Sequence, residues 1–285
     1  MKGFQWKDTE IHDVVEYLQW IKILHEGEDY SNIGGAPPMP LDKLYFRGQV
    51  DKEWQLLPGI FRKDVLLIDE CEAIRNVGLQ LWNELSICKS YLERLVYLQH
   101  YGMWTRLLDV TFNPLIALFM ACSGTESEDK DGVVFFGYQI DSQDSNTVEK
   151  TAEFVFSNNT HANKDSFERF LQNNEIGRFV ECFMNPHFIF PPISNPRIES
   201  QNGAFIMAPP LKGTITDYTW NNESLDNTDL FGYNRAIVPS SHKKAILREL
   251  SELGINRGSL FRDAVDKISA IKENYLYEKN YDITL

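Results

Sequence analysis

The chain has 285 residues, of which 43% are hydrophobic and 24% are charged, as in a folded globular protein rather than a disordered one. Its formal net charge of -13 argues against a general electrostatic grip on nucleic acid, although a small basic pocket for a nucleotide is compatible with it. Unpaired cysteines, scattered histidines and the lack of a signal sequence or a long apolar run predict a cytoplasmic protein without a disulfide frame, metal site or membrane span.

The first part of the chain predicts helices around a strand. Apolar residues at three- and four-residue spacing predict a helix over 8–25, and residues 1–40 are interpreted as this helix and a linker. A strand is predicted over 43–49. Further helices are predicted over 68–85 and 90–101, the second ending before a glycine that suits a helix C-terminus.

The remainder adds strands and helices in irregular order. Asn113 and Pro114 begin an apolar, buried helix over 114–121. Strands are predicted over 132–139, 204–208 and 235–238, and helices over 241–253 and 259–272. The polar region 141–164 is interpreted as an insertion or mobile loop. Because strands and helices do not alternate regularly, we expect one α+β domain over 1–285, with C-terminal helices over 241–285 and a small split or mixed β-sheet core surrounded by helices.

Several motifs in this sequence resemble the FRG-domain family, named for its Phe-Arg-Gly motif. The matching residues are Phe46-Arg47-Gly48-Gln49, Leu98-Gln99-His100-Tyr101-Gly102, Thr105-Arg106-Leu107-Leu108-Asp109 with Thr111, Asn113-Pro114-Leu115, Asn195-Pro196-Arg197 with Gln201 and Gly203, and His242-Lys243. Trp104 departs from the pattern, since a smaller residue or proline is expected there.

The order of these motifs also resembles the layout of ADP-ribosyltransferases, which implies an ADP-ribosyltransferase-like fold and NAD as substrate. In that layout an arginine ends the first core strand, a threonine-rich element supports a ribose, and an acidic residue comes late in the chain. Bacterial proteins of this kind often act as toxins or in phage defence. The resemblance thus implies Arg47, His100, Glu199 and Gln201 as catalytic residues, and Arg47, Gly48, Gln49, Gln99, Tyr101, Thr105, Arg106, Asp109 and Thr111 as ligand-binding residues.

The residues themselves leave alternatives open for each role. Arg47 suits a phosphate as a bidentate cation, or it is a structural arginine tied to Asp109. Asp109 lies among apolar neighbours, so we expect it to be buried and paired with Arg47 or Arg106, with a role as base second. His100 either caps a helix C-terminus or faces the pocket, and the threonines either contact the ligand or pack with satisfied hydroxyls.

The late acidic position is less clear, because Gln201 stands where a glutamate is expected and an amide cannot act as a base. Glu199 would lie on the same face of an extended segment and supply the charge, or it is a solvated loop residue. Two functions follow as expectations. One is an NAD-consuming enzyme that transfers ADP-ribose to protein, nucleic acid or water; the other is a non-catalytic sensor of NAD or ADP-ribose, or a protein-interaction module.

Overall fold

A seven-stranded mixed sheet forms the centre of the computed structural model. The structure describes residues 7–26, 44–63, 67–124, 129–138, 145–157, 168–170, 172, 183–190, 196–214, 217–221, 223–227 and 230–261. The strands are β1 (Lys7–Glu10), β2 (Leu44–Gln49), β3 (Leu107–Thr111), β4 (Gly132–Tyr138), β5 (His187–Ile189), β6 (Gly203–Met207), β7 (Leu211–Gly213), β8 (Tyr218–Trp220) and β9 (Phe231–Val238). The order in the sheet is β1-β9-β4-β2-β3-β6-β5, and β7 and β8 form a separate antiparallel pair. Only the β1–β9 pairing within the sheet is parallel.

Helices cover one face of this sheet in two groups. They are α1 (Val14–Glu26), α2 (Leu67–Gln80), α3 (Trp82–Leu85), α4 (Tyr91–His100), α5 (Pro114–Cys122), α6 (Ser145–Ser157), α7 (Pro196–Ser200), α8 (Lys243–Glu252) and α9 (Arg257–Leu260). The first group, α1, α5 and α8, packs on β2, β4 and β9 in one apolar cluster. The second, α2, α4 and α6, packs on β3, β5 and β6 in another. The opposite face of the sheet packs on Leu56, Ile60, Phe61, Leu225 and Leu230.

These elements confirm the predicted α+β class and the mixed sheet, although the described helices cover one face rather than surround it and seven strands make a larger sheet than expected. The helix predicted from residue 8 begins at Val14, because residues 7–10 add to the edge of the sheet beside β9. The helix predicted over 68–85 is divided into α2 and α3. Of the final predicted helix only the beginning is described, as α9; residues 262–272 lie outside the described residues.

The interpretation of 141–164 as a mobile loop is wrong for residues 145–157, which form α6. Val148, Ala152 and Val155 repeat at four- and three-residue spacing and are buried against α4 and the sheet. That pattern is typical of an amphipathic helix with a narrow apolar stripe, which the polar composition of the region masks. Residues 141–144 and 158–164 lie outside the described residues, as does the 34–40 linker.

Candidate functional site

The central sheet opens into a fork between β2 and β3. These strands share one residue pair, Phe46 with Thr111. On its other edge β2 forms six pairs with β4, and β3 forms five pairs with β6. Beyond the Phe46–Thr111 pair the two strands therefore separate. A cavity of about 1350 Å³ lies at this fork, larger than the roughly 300–1,000 Å³ of common ligand pockets.

The cavity lies at the seam between the two helix groups, and its wall is rich in cations. Residues from β2, β3, α4, α5, α8 and α9 contribute to it. The cationic side chains on the wall are Arg47, Arg62, Lys243, Lys244, Arg248 and Arg257. Among the described residues of the wall, Asp109 is the sole carboxylate. The wall thus carries more cations than carboxylates in a chain with a net charge of -13, an arrangement suited to anions.

Arg47 lies in the fork itself, near the end of β2. Its Nη1 donates a hydrogen bond to the backbone oxygen of Asp109 at 2.6 Å, while its Nε has no partner among the described residues. Burial lowers the pKa of Arg47 to about 10, against the nearby Asp109 charge, which raises it. The guanidinium is therefore still charged at neutral pH. Burial also lowers the pKa of Arg62, the second cation at this end of the cavity.

Gly48 determines how closely the helix behind the fork approaches β2. A Cβ atom at this position would lie 1.9 Å from the backbone oxygen of Ala117 in α5. Only glycine permits this contact. The helix is held in place as predicted: it begins at Pro114, and the side-chain oxygen of Asn113 accepts hydrogen bonds from the two backbone N–H groups that follow Pro114. The glycine of the Phe-Arg-Gly motif thus fixes β2, and with it Arg47, against α5.

A chain of hydrogen bonds holds Asp109 in position. The hydroxyl of Thr105, which is fully buried, donates to Oε1 of Gln99 and accepts from the backbone N–H of Leu107. Nε2 of Gln99 in turn donates to the carboxylate of Asp109 at 3.1 Å and to the oxygen of Leu107 at 3.2 Å. Because Thr105 fixes which end of the Gln99 amide faces outward, the amide N–H is presented to Asp109.

The structure brings most of the predicted site residues to one wall. Those that line the cavity are Arg47, Gly48, Gln49, Gln99, His100, Asp109, Thr111 and Gln201. Whether they contact a ligand stays a prediction. Four others do not line it: Tyr101, Thr105, Arg106 and Glu199. Tyr101 is 67% exposed and contacts the rings of Tyr97 and His100, whereas Thr105 acts through Gln99.

Arg106, which was predicted to bind a ligand, lies away from the cavity wall. Its side chain is fully buried and forms an ion pair with Glu70 of α2, which is also fully buried. Its Nη1 donates to the backbone oxygen of Ala208 at 3.2 Å. Nothing in the sequence around Glu70 indicated this pairing, because Glu70 reads as one of several acidic residues on a helix.

The expectations for Asp109 and Glu199 also require correction. Asp109 is exposed toward the cavity rather than buried in an ion pair, because alternation along β3 turns it away from Leu108 and Val110. Glu199 and Gln201 do not share an extended segment. Glu199 is exposed in the short helix α7, and Gln201 follows in a turn.

Gln201 is fastened on the cavity wall through both its main chain and its side chain. Its backbone oxygen accepts from the hydroxyl of Thr111 at 2.7 Å, and its Nε2 donates to the oxygen of Leu260 at 3.4 Å. The Thr111 hydroxyl also accepts from the N–H of Asn113 at 3.0 Å. Thr111 therefore ties the turn at Gln201 to β3, with its hydroxyl already donating and accepting.

Sequence reasoning missed part of the wall. It did not assign Arg62, the cations of α8 and α9, or Trp54 and Trp104, which are 44% and 46% exposed. The two tryptophans carried no signal, because a sequence does not show which aromatic side chains stay exposed and single exposed ones are normal. The helix cations carried none, because lysine and arginine on an exposed helix face are ordinary.

Other classes of site find no support in the part of the chain that the structure describes. No group of three or more His, Cys, Asp or Glu there is placed to hold a metal ion. Within the same ranges, no helix combines the length and apolar character that crossing a membrane requires.

One family model matches this chain, and it covers the region that builds the fork. The family model of the FRG domain matches residues 42–130, which contain β2, the Thr105–Gln99–Asp109 chain, β3 and α5. No curated protein and no solved structure matches the chain. The resemblance to the FRG-domain family is therefore supported over residues 42–130 of this chain.

Proposed function

We propose that this chain binds NAD in the cavity at the fork and breaks the bond between nicotinamide and ribose, as an ADP-ribosyltransferase or an NAD glycohydrolase. The observation that carries the proposal is the charge of the wall, which holds six cations and, among its described residues, the single carboxylate of Asp109. A dinucleotide needs cations for its phosphates, and cleavage of its glycosidic bond needs a negative group near the ribose.

We assign the phosphates to Arg62 and to the Nη2 group of Arg47. Arginine presents a planar set of donors that matches phosphate oxygens, and it keeps its charge at neutral pH. Arg47 is held by one hydrogen bond to a backbone oxygen, which does not neutralise its charge. Fixing the phosphates here would orient the rest of the dinucleotide along the wall, so that positioning contributes to the rate.

Asp109 is the group we assign to the reacting ribose. As the bond breaks, nicotinamide leaves with the bonding electron pair and the ribose becomes oxocarbenium-like. The carboxylate of Asp109, oriented by Gln99, stabilises that positive charge. An acceptor oxygen then forms the new bond to the ribose carbon and loses a proton. With water as acceptor the products are ADP-ribose, nicotinamide and a proton.

A sensor without turnover is the second candidate. It is favoured by the late acidic position, where Glu199 is exposed and off the wall and Gln201 offers only an amide. In that case the same cations bind NAD or ADP-ribose, and Asp109 serves only to balance their charge. The two candidates share a binding site and differ in the role of one carboxylate.

The test is incubation of the full chain with NAD, with nicotinamide release measured by chromatography and ADP-ribose binding by calorimetry. Release that disappears in Asp109→Asn, but not in the exposed control Asp129→Asn, supports the enzyme. Binding without release supports the sensor. If neither ligand binds and no nicotinamide appears, both candidates are rejected.

The acceptor and the biological role follow from the same reaction. Label from the adenine end of NAD that appears on protein or nucleic acid identifies a transferase, whereas free ADP-ribose identifies a glycohydrolase. If the chain acts as a toxin or in phage defence, its expression in bacteria is expected to lower cellular NAD and slow growth. The Asp109→Asn variant is expected to do neither.

A further inference from the structure

Gln49 carries a buried hydrogen-bond acceptor that the protein leaves unused. The side chain is 3% exposed and lies on the cavity wall. Its amide nitrogen donates to the backbone oxygen of Trp54 at 3.1 Å. A backbone oxygen can only accept, so the amide cannot be turned around, and its Oε1 is left without a partner in the described structure. Leaving a buried acceptor unpaired costs about 1–3 kcal/mol unless a ligand satisfies it.

A complementary donor lies two residues earlier on the same face of β2. Nε of Arg47 is buried and has no partner among the described residues. Residues two apart on a strand point to the same side, with Cα atoms about 7 Å apart. The fork therefore presents an unused acceptor beside an unused donor. A single ligand group that carries both a donor and an acceptor would satisfy the two together.

Aromatic surface adjoins this pair. Trp54, whose backbone oxygen fixes the Gln49 amide, and Trp104 both line the cavity with their rings about half-exposed. Planar rings stack favourably on tryptophan faces, and such contacts add about 0.5–1.5 kcal/mol beyond the area that they bury. The polar pair thus lies next to surface suited to a flat heterocycle.

We propose that Gln49 and Arg47 form a subsite for a planar nitrogen heterocycle that presents an N–H donor beside a hydrogen-bond acceptor, with Oε1 of Gln49 accepting and Nε of Arg47 donating. The identity of the ring rests on the proposed function. In NAD two groups have this chemistry, the carboxamide of nicotinamide and the 6-amino edge of adenine. Gln49 is then a specificity-determining residue, which distinguishes an amide or amino group from a carboxylate or oxo group.

The first experiment replaces Gln49 in the full chain and compares two ligands. Gln49→Met keeps the length of the side chain and removes its amide, and Gln55→Met makes the same change at an exposed position of the following loop. We expect Gln49→Met to weaken the binding of NAD about tenfold or more, measured as Kd or, if the chain turns NAD over, as kcat/KM. We expect Gln55→Met to leave both quantities unchanged. If the affinity of Gln49→Met for ADP-ribose is unchanged, the bound ring is nicotinamide. If that affinity falls as much as the affinity for NAD, the bound ring is adenine. If neither ligand is affected, the subsite is rejected.

The second experiment does not depend on how the variant folds, because it changes the ligand. The unmodified chain is titrated with NAD, with nicotinic acid adenine dinucleotide and with nicotinamide hypoxanthine dinucleotide. We expect one analogue, the one altered at the bound ring, to bind about tenfold or more weaker than NAD. Equal affinity for all three overturns the subsite and leaves the proposed function intact. If no dinucleotide binds, the proposed function fails and the subsite for a ring of NAD fails with it.

Discussion

Two arginines from the matched motifs show how differently the same side chain is used in this fold. Arg106, directly before β3, is fully buried and its charge is matched by Glu70. Arg47, in β2, donates to a backbone oxygen, and the nearest carboxylate, Asp109, is hydrogen-bonded to Gln99 instead. The first guanidinium is neutralised inside the protein, whereas the second presents its charge to a cavity. A countercharge within the core, rather than membership of a motif, separates an arginine that is neutralised in the protein from one whose charge faces a cavity.

The largest expected effect comes from breaking the buried pair. Glu70→Ala leaves Arg106 charged and unpaired in the core, so we expect the free energy of unfolding to fall by about 3–5 kcal/mol in urea titrations. The double variant Glu70→Leu with Arg106→Met removes both charges and should lose much less. A single variant as stable as the unmodified chain would erase the contrast between the two arginines.

Asp109→Asn has the next largest expected effect, and it tests the surroundings of Arg47, the arginine that faces the cavity. The change keeps the shape of the side chain and removes its charge beside Arg47, so we expect nicotinamide release to fall about 100-fold or more. Because Asp109 is exposed, thermal melting should shift little. Loss of folding without any specific loss of activity would make Asp109 a structural residue after all.

Arg47→Met should affect binding more than folding. A hydrogen bond to a charged group contributes about 1.5–3 kcal/mol, so we expect the Kd for ADP-ribose to rise roughly 10- to 100-fold in calorimetric titrations. Stability should change by about 1 kcal/mol, for the lost bond to the Asp109 oxygen. Arg75→Met, at an exposed arginine of α2 off the cavity wall, is the matched control. A chain that unfolds on this change would place Arg47 in the same class as Arg106.

The smallest expected effect on stability comes from the partly exposed ion pair between Asp131 and Lys52. Asp131 accepts from the N–H of Ser240 and from Lys52, and these bonds hold its pKa below the ordinary value of 3.8, the Ser240 bond most strongly. A carboxyl with a depressed pKa stabilises the fold above its unfolded pKa, and that stability is lost as the pH falls through the folded value. We therefore expect the melting temperatures of the unmodified chain and Asp131→Asn to differ near neutral pH and to converge as the pH falls below the depressed pKa of Asp131. A constant difference at every pH would assign the effect to packing.

Local signals in the sequence predicted much of the fold. Asn113 and Pro114 gave the start of α5, the helix predicted over 90–101 forms as α4, and Gly102 follows it with a positive φ of 86°. Each of these depends on residues within one turn of the chain. By contrast, β1 has the sequence Lys-Asp-Thr-Glu and forms only because β9 offers an edge, so its own residues carry no strand signal.

The site was predictable as a set of residues and not as an arrangement. Arg47, Gln99 and Asp109 were all singled out, and all line one cavity. Their roles depend on contacts across the sheet, such as the bond from Arg47 to the Asp109 oxygen across 62 residues. The pairing of Arg106 with Glu70 is of the same long-range kind. Residue types indicate which chemistry is present, but only the packing decides which group faces the cavity.

The single pair between β2 and β3 has a consequence for how quickly a ligand can be captured. Six pairs hold β2 to β4 and five hold β3 to β6, so each strand is fixed to its outer neighbour and the fork is held between two paired halves of the sheet. The opening is therefore built into the backbone and exists before anything enters it. A molecule that binds there has no strand movement to wait for, and none of its binding energy is spent on reshaping the protein.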